Sequence, residues 1–245
     1  MSIPFDWIRP DWPAPARVRA CVTTRTTGGS QSPFASFNLG DHVGDDPSQV
    51  QSNRDWLAQQ LNCTPVWLEQ VHGVAVVEAQ PAAVAVADAS WSRTPGVACS
   101  IMSADCLPVL FADRAGTCVA AAHAGWRSLV GGVLENTLAA MQIAPEQTLV
   151  WLGPAIGPQV YEVGPEVREA FLAQHAQAEA AFVPSVRAGH WLADLYLLAR
   201  TRLAAAGVQA VYGGGFCTLT DRRFYSYRRN AVTGRMASLV WLAES

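Results

Sequence analysis

Two histidines and one cysteine in this chain have the chemistry and the local context of a metal site. They are His72 in Gln-Val-His-Gly, Cys106 in Ala-Asp-Cys-Leu-Pro and His123 in Ala-His-Ala-Gly-Trp-Arg. Two imidazoles and a thiolate are suitable ligands for one zinc ion. Three protein ligands leave one coordination position open for water or substrate, which is typical of catalytic zinc sites. The three residues therefore predict a catalytic metal centre.

The spacing of Cys106 and His123 places them on one β-hairpin. The segments 107–113 and 117–123 have the composition of strands, and residues 113–116, Asp-Arg-Ala-Gly, have that of a turn. Residues equidistant from such a turn lie opposite each other in an antiparallel pair. Cys106 and His123 are then cross-strand neighbours, with Cα atoms about 4.5–5.5 Å apart. Both faces of the first strand are apolar, which predicts a strand covered on both sides by other layers.

The same residues allow a second chemistry. Cys106 is also suited to act as a nucleophile, with His123 or His72 as its base. The sequence leaves both interpretations open, because a thiolate serves equally well as ligand and as nucleophile.

Composition favours one large domain over residues 1–245. Half of the 245 residues are hydrophobic and 15% are charged, and no internal repeat or linker interrupts them. No apolar run reaches the roughly 20 residues of a membrane span, and the N-terminus lacks the pattern of a signal peptide. Six scattered cysteines suggest free thiols in the cytoplasm. The net charge of −3 gives no reason to expect nucleic acid or a membrane as a partner, and oligomeric state is not indicated.

Local patterns predict alternating strands and helices around the site residues. Asp46 as N-cap and Pro47 at the first position predict a helix over 47–61. Further helices are predicted over 126–141, 165–174 and 194–206, the last ended by Gly207. Strands are predicted over 17–24, 65–71, 74–78, 97–102, 148–152, 208–212 and 237–242.

Four further residues are candidates for the chemistry. Asp105, beside Cys106, could orient a ligand imidazole or act as a general base. Arg25, in Thr-Thr-Arg-Thr-Thr-Gly-Gly, suits bidentate binding of phosphate or carboxylate. Asn38 belongs to a long loop, 26–46, that could line a pocket rim. Arg229 ends Phe-Tyr-Ser-Tyr-Arg-Arg from 224, a strip that could stack a purine and hold an oxyanion.

Seven segments in order along the chain resemble the laccase-domain family, also called polyphenol oxidase or YfiH-like proteins. The segments are Thr-Thr-Arg…Gly-Gly from 23, Asn-Leu-Gly-Asp-His-Val-Gly-Asp-Asp-Pro from 38, Gln-Val-His-Gly from 70, Ser-Ala-Asp-Cys-Leu-Pro from 103, His-Ala-Gly-Trp-Arg from 123, Leu-Gly-Pro-Ala-Ile-Gly-Pro from 152 and Phe-Tyr-Ser-Tyr-Arg-Arg from 224. Ser128 stands where the family pattern has a glycine. The resemblance implies an α+β fold, a single-domain four-layer α/β/β/α sandwich with mixed sheets.

The resemblance also implies an activity. It implies zinc on His72, Cys106 and His123, phosphorolysis of adenosine, inosine, guanosine or methylthioadenosine, and deamination of adenosine. Arg25 is then the first candidate for binding phosphate and Arg229 the second. Asp105 is the candidate general acid or base. The family name also suggests copper-linked polyphenol oxidation, although five histidines are too few for a blue site and a trinuclear cluster. Two alternatives stay open: a cysteine-type amidase acting on a cell-wall precursor, and a zinc-stabilised binding module without catalysis.

Overall fold

A computed structural model describes residues 6–82 and 84–244 of the chain. The five α-helices are α1 (Pro47–Leu61), α2 (Trp126–Gly131), α3 (Val133–Met141), α4 (Pro165–Leu172) and α5 (Leu195–Ala205). The strands are β1 (Val18–Val22), β2 (Thr64–Val66), β3 (Leu68–Glu69), β4 (Val76–Glu78), β5 (Ala85–Val86), β6 (Ala89–Ser92), β7 (Val97–Ser103), β8 (Leu107–Asp113), β9 (Val119–Ala124), β10 (Thr148–Leu152), β11 (Glu162–Val163), β12 (Phe182–Pro184), β13 (Trp191–Ala193), β14 (Ala210–Gly213) and β15 (Met236–Leu242).

Two mixed sheets form the centre of the molecule. The larger sheet has the strand order β14-β10-β8-β9-β6-β4, in which only the two outer pairs are parallel. The smaller sheet has the order β1-β15-β7-β2, in which only β2 and β7 run parallel. Two small sheets, β11-β13-β12 and β3-β5, lie outside these.

The alternation of side chains along β8 explains the layering. Leu107, Val109 and Phe111 pack into a core shared with α2, α3 and α5. Leu110 and Ala112 point the opposite way, into a core shared with β7 and β15. A strand buried on both faces must have a layer on each side. A third core lies between the smaller sheet and α1, so the four-layer α/β/β/α sandwich is confirmed.

Most predicted elements are present, but the helix predicted over 126–141 is wrong as a single element. It breaks into α2 and α3 at Gly132, whose φ of 99° lies in the left-handed region. Glycine adopts this conformation without the steric cost of a Cβ atom. The strand predicted over 65–71 is also divided, into β2 and β3, which belong to different sheets.

The predicted register of the β8–β9 hairpin is wrong by two residues. His123 pairs with Pro108 rather than with Cys106, and Leu107 pairs with Ala124. The carboxylate of Asp113 is the cause, because its Oδ1 accepts hydrogen bonds from the backbone N–H groups of Thr117 and Cys118 and so closes a longer turn. A shift of two residues keeps the side chains on their predicted face, since the strand period is two.

Within the described residues, no helix combines the length and the apolar character needed to cross a bilayer.

Candidate metal centre and its pocket

His72, Cys106 and His123 meet at one end of the two-sheet sandwich. His72 lies in the turn between β3 and β4, Cys106 lies just before β8, and His123 is near the end of β9. The potential ligand atoms of the three side chains all lie within 4.8 Å of one another. The Cys106 Sγ is 3.9 Å from Nε2 of His72, and the two imidazole centroids are 4.8 Å apart. The structure therefore brings together the three residues that the sequence singled out.

One buried carboxylate, that of Asp88, holds both histidines. Its Oδ1 accepts hydrogen bonds from Nδ1 of His123 at 2.8 Å and from the backbone N–H of His72 at 3.0 Å. Its Oδ2 accepts from the backbone N–H groups of Val71 and Gly73, at 3.1 and 2.6 Å. Asp88 thereby fixes the turn that carries His72. It also occupies Nδ1 of His123, which leaves Nε2 available to bind a metal ion.

The backbone around the site is unusual at two non-glycine residues. His72 has a φ of 59° and Asp105 a φ of 90°, both in the left-handed region. Such conformations cost free energy and persist where surrounding contacts enforce them, often at functional sites. Three hydrogen bonds to Asp88, from the backbone N–H groups of Val71, His72 and Gly73, supply that enforcement for the turn at His72.

A glycine at the start of α2 leaves room for the three side chains. A Cβ atom added to Gly125 would lie 2.9 Å from the Cys106 Sγ and 3.1 Å from Cδ2 of His72. Its φ of −58° is open to any residue, so the requirement for glycine is steric and comes from the site.

Cys106 and His123 form a charged pair when no metal is bound. Removal from water would raise the pKa of the Cys106 thiol, but the charge of His123 and hydrogen bonds from His123 and His72 outweigh this and lower the pKa to about 6. Burial lowers the pKa of His123, whereas the charge of Cys106 and the hydrogen bond to Asp88 raise it to about 9. Near neutral pH the pair is thiolate and imidazolium, and a divalent cation would replace the imidazolium proton.

The donor set fits one zinc ion. Tetrahedral zinc with bonds of about 2.3 Å to sulfur and 2.0–2.1 Å to nitrogen places sulfur and nitrogen about 3.6 Å apart. The 3.9 Å between the Cys106 Sγ and Nε2 of His72 is close to this separation. Among the residues that the structure describes, no fourth histidine, cysteine or carboxylate completes the group.

The three donors open onto a pocket of about 360 Å³, a size that suits a small molecule. Its lining includes three aromatic and three cationic side chains: Trp126, Tyr161, Tyr227, Arg127, Arg228 and Arg235. In the described part of the chain, none of the three arginines forms a salt bridge. A pocket of this composition can hold an aromatic ring and an anion together.

Asp105 lines the same pocket but hydrogen-bonds to neither imidazole in the described residues. Its Oδ1 accepts from the Thr218 hydroxyl at 2.6 Å, and its Oδ2 accepts from the backbone N–H of Arg228 at 2.7 Å. The carboxylate that orients an imidazole is that of Asp88, which accepts a hydrogen bond from His123, and not that of Asp105. Asp105 holds the segment that carries Tyr227 and Arg228, and its predicted acid–base role stays a prediction.

The structure does not bring Arg25, Asn38 or Arg229 into the lining of this pocket. Nε and Nη2 of Arg25 donate to the carbonyl of Ala35 at 3.0 and 2.8 Å. Nη1 of Arg229 donates to two backbone carbonyls, those of residues 218 and 219. Asn38 is fully buried, and its amide organises its own loop through the backbone of Gly40. Their predicted contacts with substrate stay predictions.

Sequence reasoning missed Asp88 and Arg235. Asp88 is the only charged residue in the apolar stretch 81–91, and an isolated carboxylate in such a stretch must be paired when buried. That signal was available. Arg235 follows Gly234 just before the apolar strand β15, and its sequence context gives no indication of a pocket position.

Comparison with known proteins shows a consistent family assignment. Residues 19–243 match the family model described as multi-copper polyphenol oxidoreductase laccase. A Pseudomonas aeruginosa protein named purine nucleoside phosphorylase is 64% identical over 239 residues, covering 97% of this chain and 99% of that protein. Purine nucleoside phosphorylase YfiH of Escherichia coli is 55% identical over 240 residues, covering 96% of this chain and 98% of that protein.

Solved structures agree with this assignment. A Neisseria meningitidis protein has a TM-score of 0.95 at 51% identity, covering 98% of this chain and 100% of that one. YlmD from Geobacillus stearothermophilus has a TM-score of 0.88 at 32% identity, covering 100% and 98%. Since one family model spans nearly the whole chain and its relatives align over their full length, the chain belongs to the laccase-like family that includes the YfiH proteins.

Proposed function

We propose that this chain is a purine nucleoside phosphorylase that uses one zinc ion held by His72, Cys106 and His123. The convergence of these three donors at the pocket carries the proposal. Relatives that are 64% and 55% identical over nearly their full length bear the name purine nucleoside phosphorylase. Nucleoside and phosphate are therefore the proposed substrates, with adenosine, inosine, guanosine and methylthioadenosine as the panel to test.

The aromatic side chains of the pocket suit the purine. Trp126, Tyr161 and Tyr227 present ring faces and edges on which a flat heterocycle can stack. The guanidinium of Arg127 lies 4.4 Å from the centroid of Trp126, and that of Arg228 lies 5.3 Å from that of Tyr161. Cations placed on these rings orient them and add positive charge beside the purine.

Phosphorolysis is the transfer of ribose from purine to phosphate. An oxygen of hydrogen phosphate forms a bond to C1′ as the bond from C1′ to the purine nitrogen breaks, and the phosphate proton passes to the purine. A guanidinium of the pocket would hold the phosphate against C1′. Zinc, when bound, would supply a Lewis acid that polarises the substrate. The three ligands and Asp88 would hold that charge at a fixed point.

Adenosine deamination belongs to the same proposal. It needs water and no phosphate, so the two activities separate experimentally. We expect ammonia release from adenosine in phosphate-free buffer, and loss of this activity together with phosphorolysis when the metal is removed.

The central experiment compares alanine variants of the three ligands with matched controls. Variants H72A, C106A and H123A should lose bound zinc and phosphate-dependent base release from inosine while remaining folded. C63A and H190A change the same residue types outside the pocket lining and should keep both properties. Full turnover by a folded ligand variant would refute the proposal.

One observation favours a second candidate, a cysteine-type amidase acting on a cell-wall precursor. The pKa of Cys106 is lowered to about 6 beside His123, as a nucleophilic thiolate requires. The two candidates differ in metal dependence. An amidase would form a covalent acyl-enzyme on Cys106 and work without metal, whereas the phosphorylase should be inactive after chelation and active again with added zinc.

Polyphenol oxidation through several copper ions has less support. Of the five histidines, only His72 and His123 lie together, and His42 is on the pocket lining away from that group. A single copper ion also suits two imidazoles and a thiolate, so metal analysis is needed to identify the bound ion.

A further inference from the structure

We propose that Arg235 forms the phosphate subsite of this pocket, with inorganic phosphate as its ligand. The inference deepens the proposed phosphorylase function by assigning the anion to one arginine. It also differs from the sequence-based prediction, which favoured Arg25 and Arg229.

Arg235 has hydrogen-bond donors available to an anion. Its Nη1 donates to the carbonyls of Thr233 and Gly234 at 3.0 and 3.1 Å. Within residues 6–82 and 84–244, its Nε and Nη2 donate to no protein acceptor, and no carboxylate forms a salt bridge with it. Nε and one Nη form the edge of a guanidinium that binds two oxygens at once.

Partial burial makes this unpaired charge informative. Removal from water lowers the pKa of Arg235, which means that the surroundings disfavour its charge, although Cys106 and Asp105 oppose this effect. A half-buried cation without a paired anion is costly, and a bound anion would compensate that cost. Arg235 lines the same pocket as the three candidate metal ligands, so a phosphate bound to its guanidinium would lie beside the proposed metal centre.

The other two arginines of the pocket are less suitable. Arg127 and Arg228 are both exposed, so water and salt screen their charges. Arg127 lies on the ring of Trp126. Arg228 lies on Tyr161, and its Nη1 already donates to the carbonyl of Glu162 at 3.0 Å. Their positions suit the purine end of the pocket better than the phosphate end.

The loop at 38–40 holds Arg235 in place. The buried Asn38 accepts a hydrogen bond at its Oδ1 from the backbone N–H of Arg235 at 2.8 Å. The backbone N–H of Leu39 donates to the carbonyl of Arg235 at 3.2 Å. A Cβ atom on Gly40 would lie 2.8 Å from Cγ of Arg235, so only glycine leaves room for the aliphatic part of the arginine side chain. The Asn-Leu-Gly motif thus positions the arginine.

The local charge balance favours an anion. The protein has a net charge of −3, yet the pocket lining carries three arginines against one carboxylate, that of Asp105. Both oxygens of this carboxylate are occupied, by Thr218 and by the backbone of Arg228. The pocket is therefore a positive region on an acidic protein, which attracts phosphate.

The test is direct binding of inorganic phosphate to the zinc-loaded protein by isothermal titration calorimetry. R235K keeps the positive charge but loses the paired Nε and Nη donors that bind two oxygens at once. R235Q loses the charge as well. Loss of charge-assisted, bidentate hydrogen bonds should raise the dissociation constant for phosphate by about tenfold or more in R235Q and by a smaller factor in R235K. Circular dichroism and zinc content check that both variants are folded and loaded.

Arg200 provides a matched control. It is also a half-buried arginine whose guanidinium donates to two backbone carbonyls, those of Val211 and Gly213, but it lies outside the pocket lining. R200Q should bind phosphate as the wild type does. Unchanged phosphate affinity in R235K and R235Q, no binding to the wild type, or loss of binding in R25Q alone would each overturn the proposal.

Failure of the proposed function has a different signature. Phosphate binding that depends on Arg235, in a protein that releases no base from any nucleoside of the panel, would refute the phosphorylase and support the anion subsite. Base release with an unchanged KM for phosphate in R235Q would support the phosphorylase and refute the subsite.

Discussion

Replacing Asp88 with asparagine should weaken zinc binding by about 10–100-fold. The carboxylate accepts four hydrogen bonds: from the backbone N–H groups of Val71, His72 and Gly73 and from Nδ1 of His123. Asparagine retains one carbonyl oxygen and replaces the other with an NH₂ group. Two of the four N–H donors would then face another donor, so the turn at His72 or the ring of His123 must move.

The expected loss of stability follows from the burial of Asp88, which has no exposed surface. Each buried donor without an acceptor costs about 1–3 kcal/mol, so two such donors should cost about 2–6 kcal/mol of stability. A 10–100-fold loss of zinc affinity corresponds to about 1.4–2.8 kcal/mol. Both effects are measurable in a protein whose stability lies in the usual range of about 5–15 kcal/mol.

A second buried aspartate separates the metal effect from general destabilisation. Asp113, at the opposite end of β8 from Cys106, accepts hydrogen bonds from the backbone N–H groups of Thr117 and Cys118. D113N should therefore lose stability but keep its zinc affinity. The assay is competition with a chromophoric chelator, together with the absorption spectrum of the cobalt-substituted protein. Wild-type affinity in D88N, or an equal loss in D113N, would refute the assigned role of Asp88.

Two further predictions concern the surroundings of the thiolate. Gly125→Ala should weaken zinc binding at least tenfold, because its Cβ would meet the Cys106 Sγ at 2.9 Å and Cδ2 of His72 at 3.1 Å. Gly44→Ala strains the backbone, since Gly44 has a φ of 92°, but its Cβ would contact no side chain of the site, so zinc affinity should not change. Equal affinities in the two variants would contradict this. In metal-free protein, the rate of Cys106 alkylation by iodoacetamide should be half-maximal near pH 6 and fall below it as the thiolate is protonated. Peptide mapping should find Cys63 unreactive, because burial raises its pKa to about 12. A Cys106 rate that rises only above pH 8 would refute the pairing with His123.

The layering of the fold was predictable because it depends on local pattern. The apolar residues on both faces of β8 required a layer on each side, and Asp46 with Pro47 marked the start of α1. The hairpin register was not predictable by symmetry about the turn, because the Asp113 side chain captures two backbone N–H groups and lengthens it. The Gly131–Gly132 pair did signal the break between α2 and α3, and the prediction overlooked it.

The three side chains that converge at the site were predictable, and the residues around them were less so. Residue type alone indicates that histidine and cysteine bind metals, whereas the partner of an arginine depends on contacts distant in sequence. Arg25 is held by the carbonyl of Ala35, and Arg235 is held by Asn38, almost 200 residues away along the chain. Nothing in the local sequence distinguishes these two arginines, so only the fold can assign one of them to the pocket.

Zinc K-edge X-ray absorption of the purified protein tests the account most directly. The account predicts one zinc per chain with one sulfur neighbour at about 2.3 Å, two imidazole nitrogens at about 2.0–2.1 Å and one further light atom from outside the protein. A spectrum without sulfur, with two sulfurs or with three imidazoles would contradict it, and so would full phosphorolysis by a protein that contains no metal.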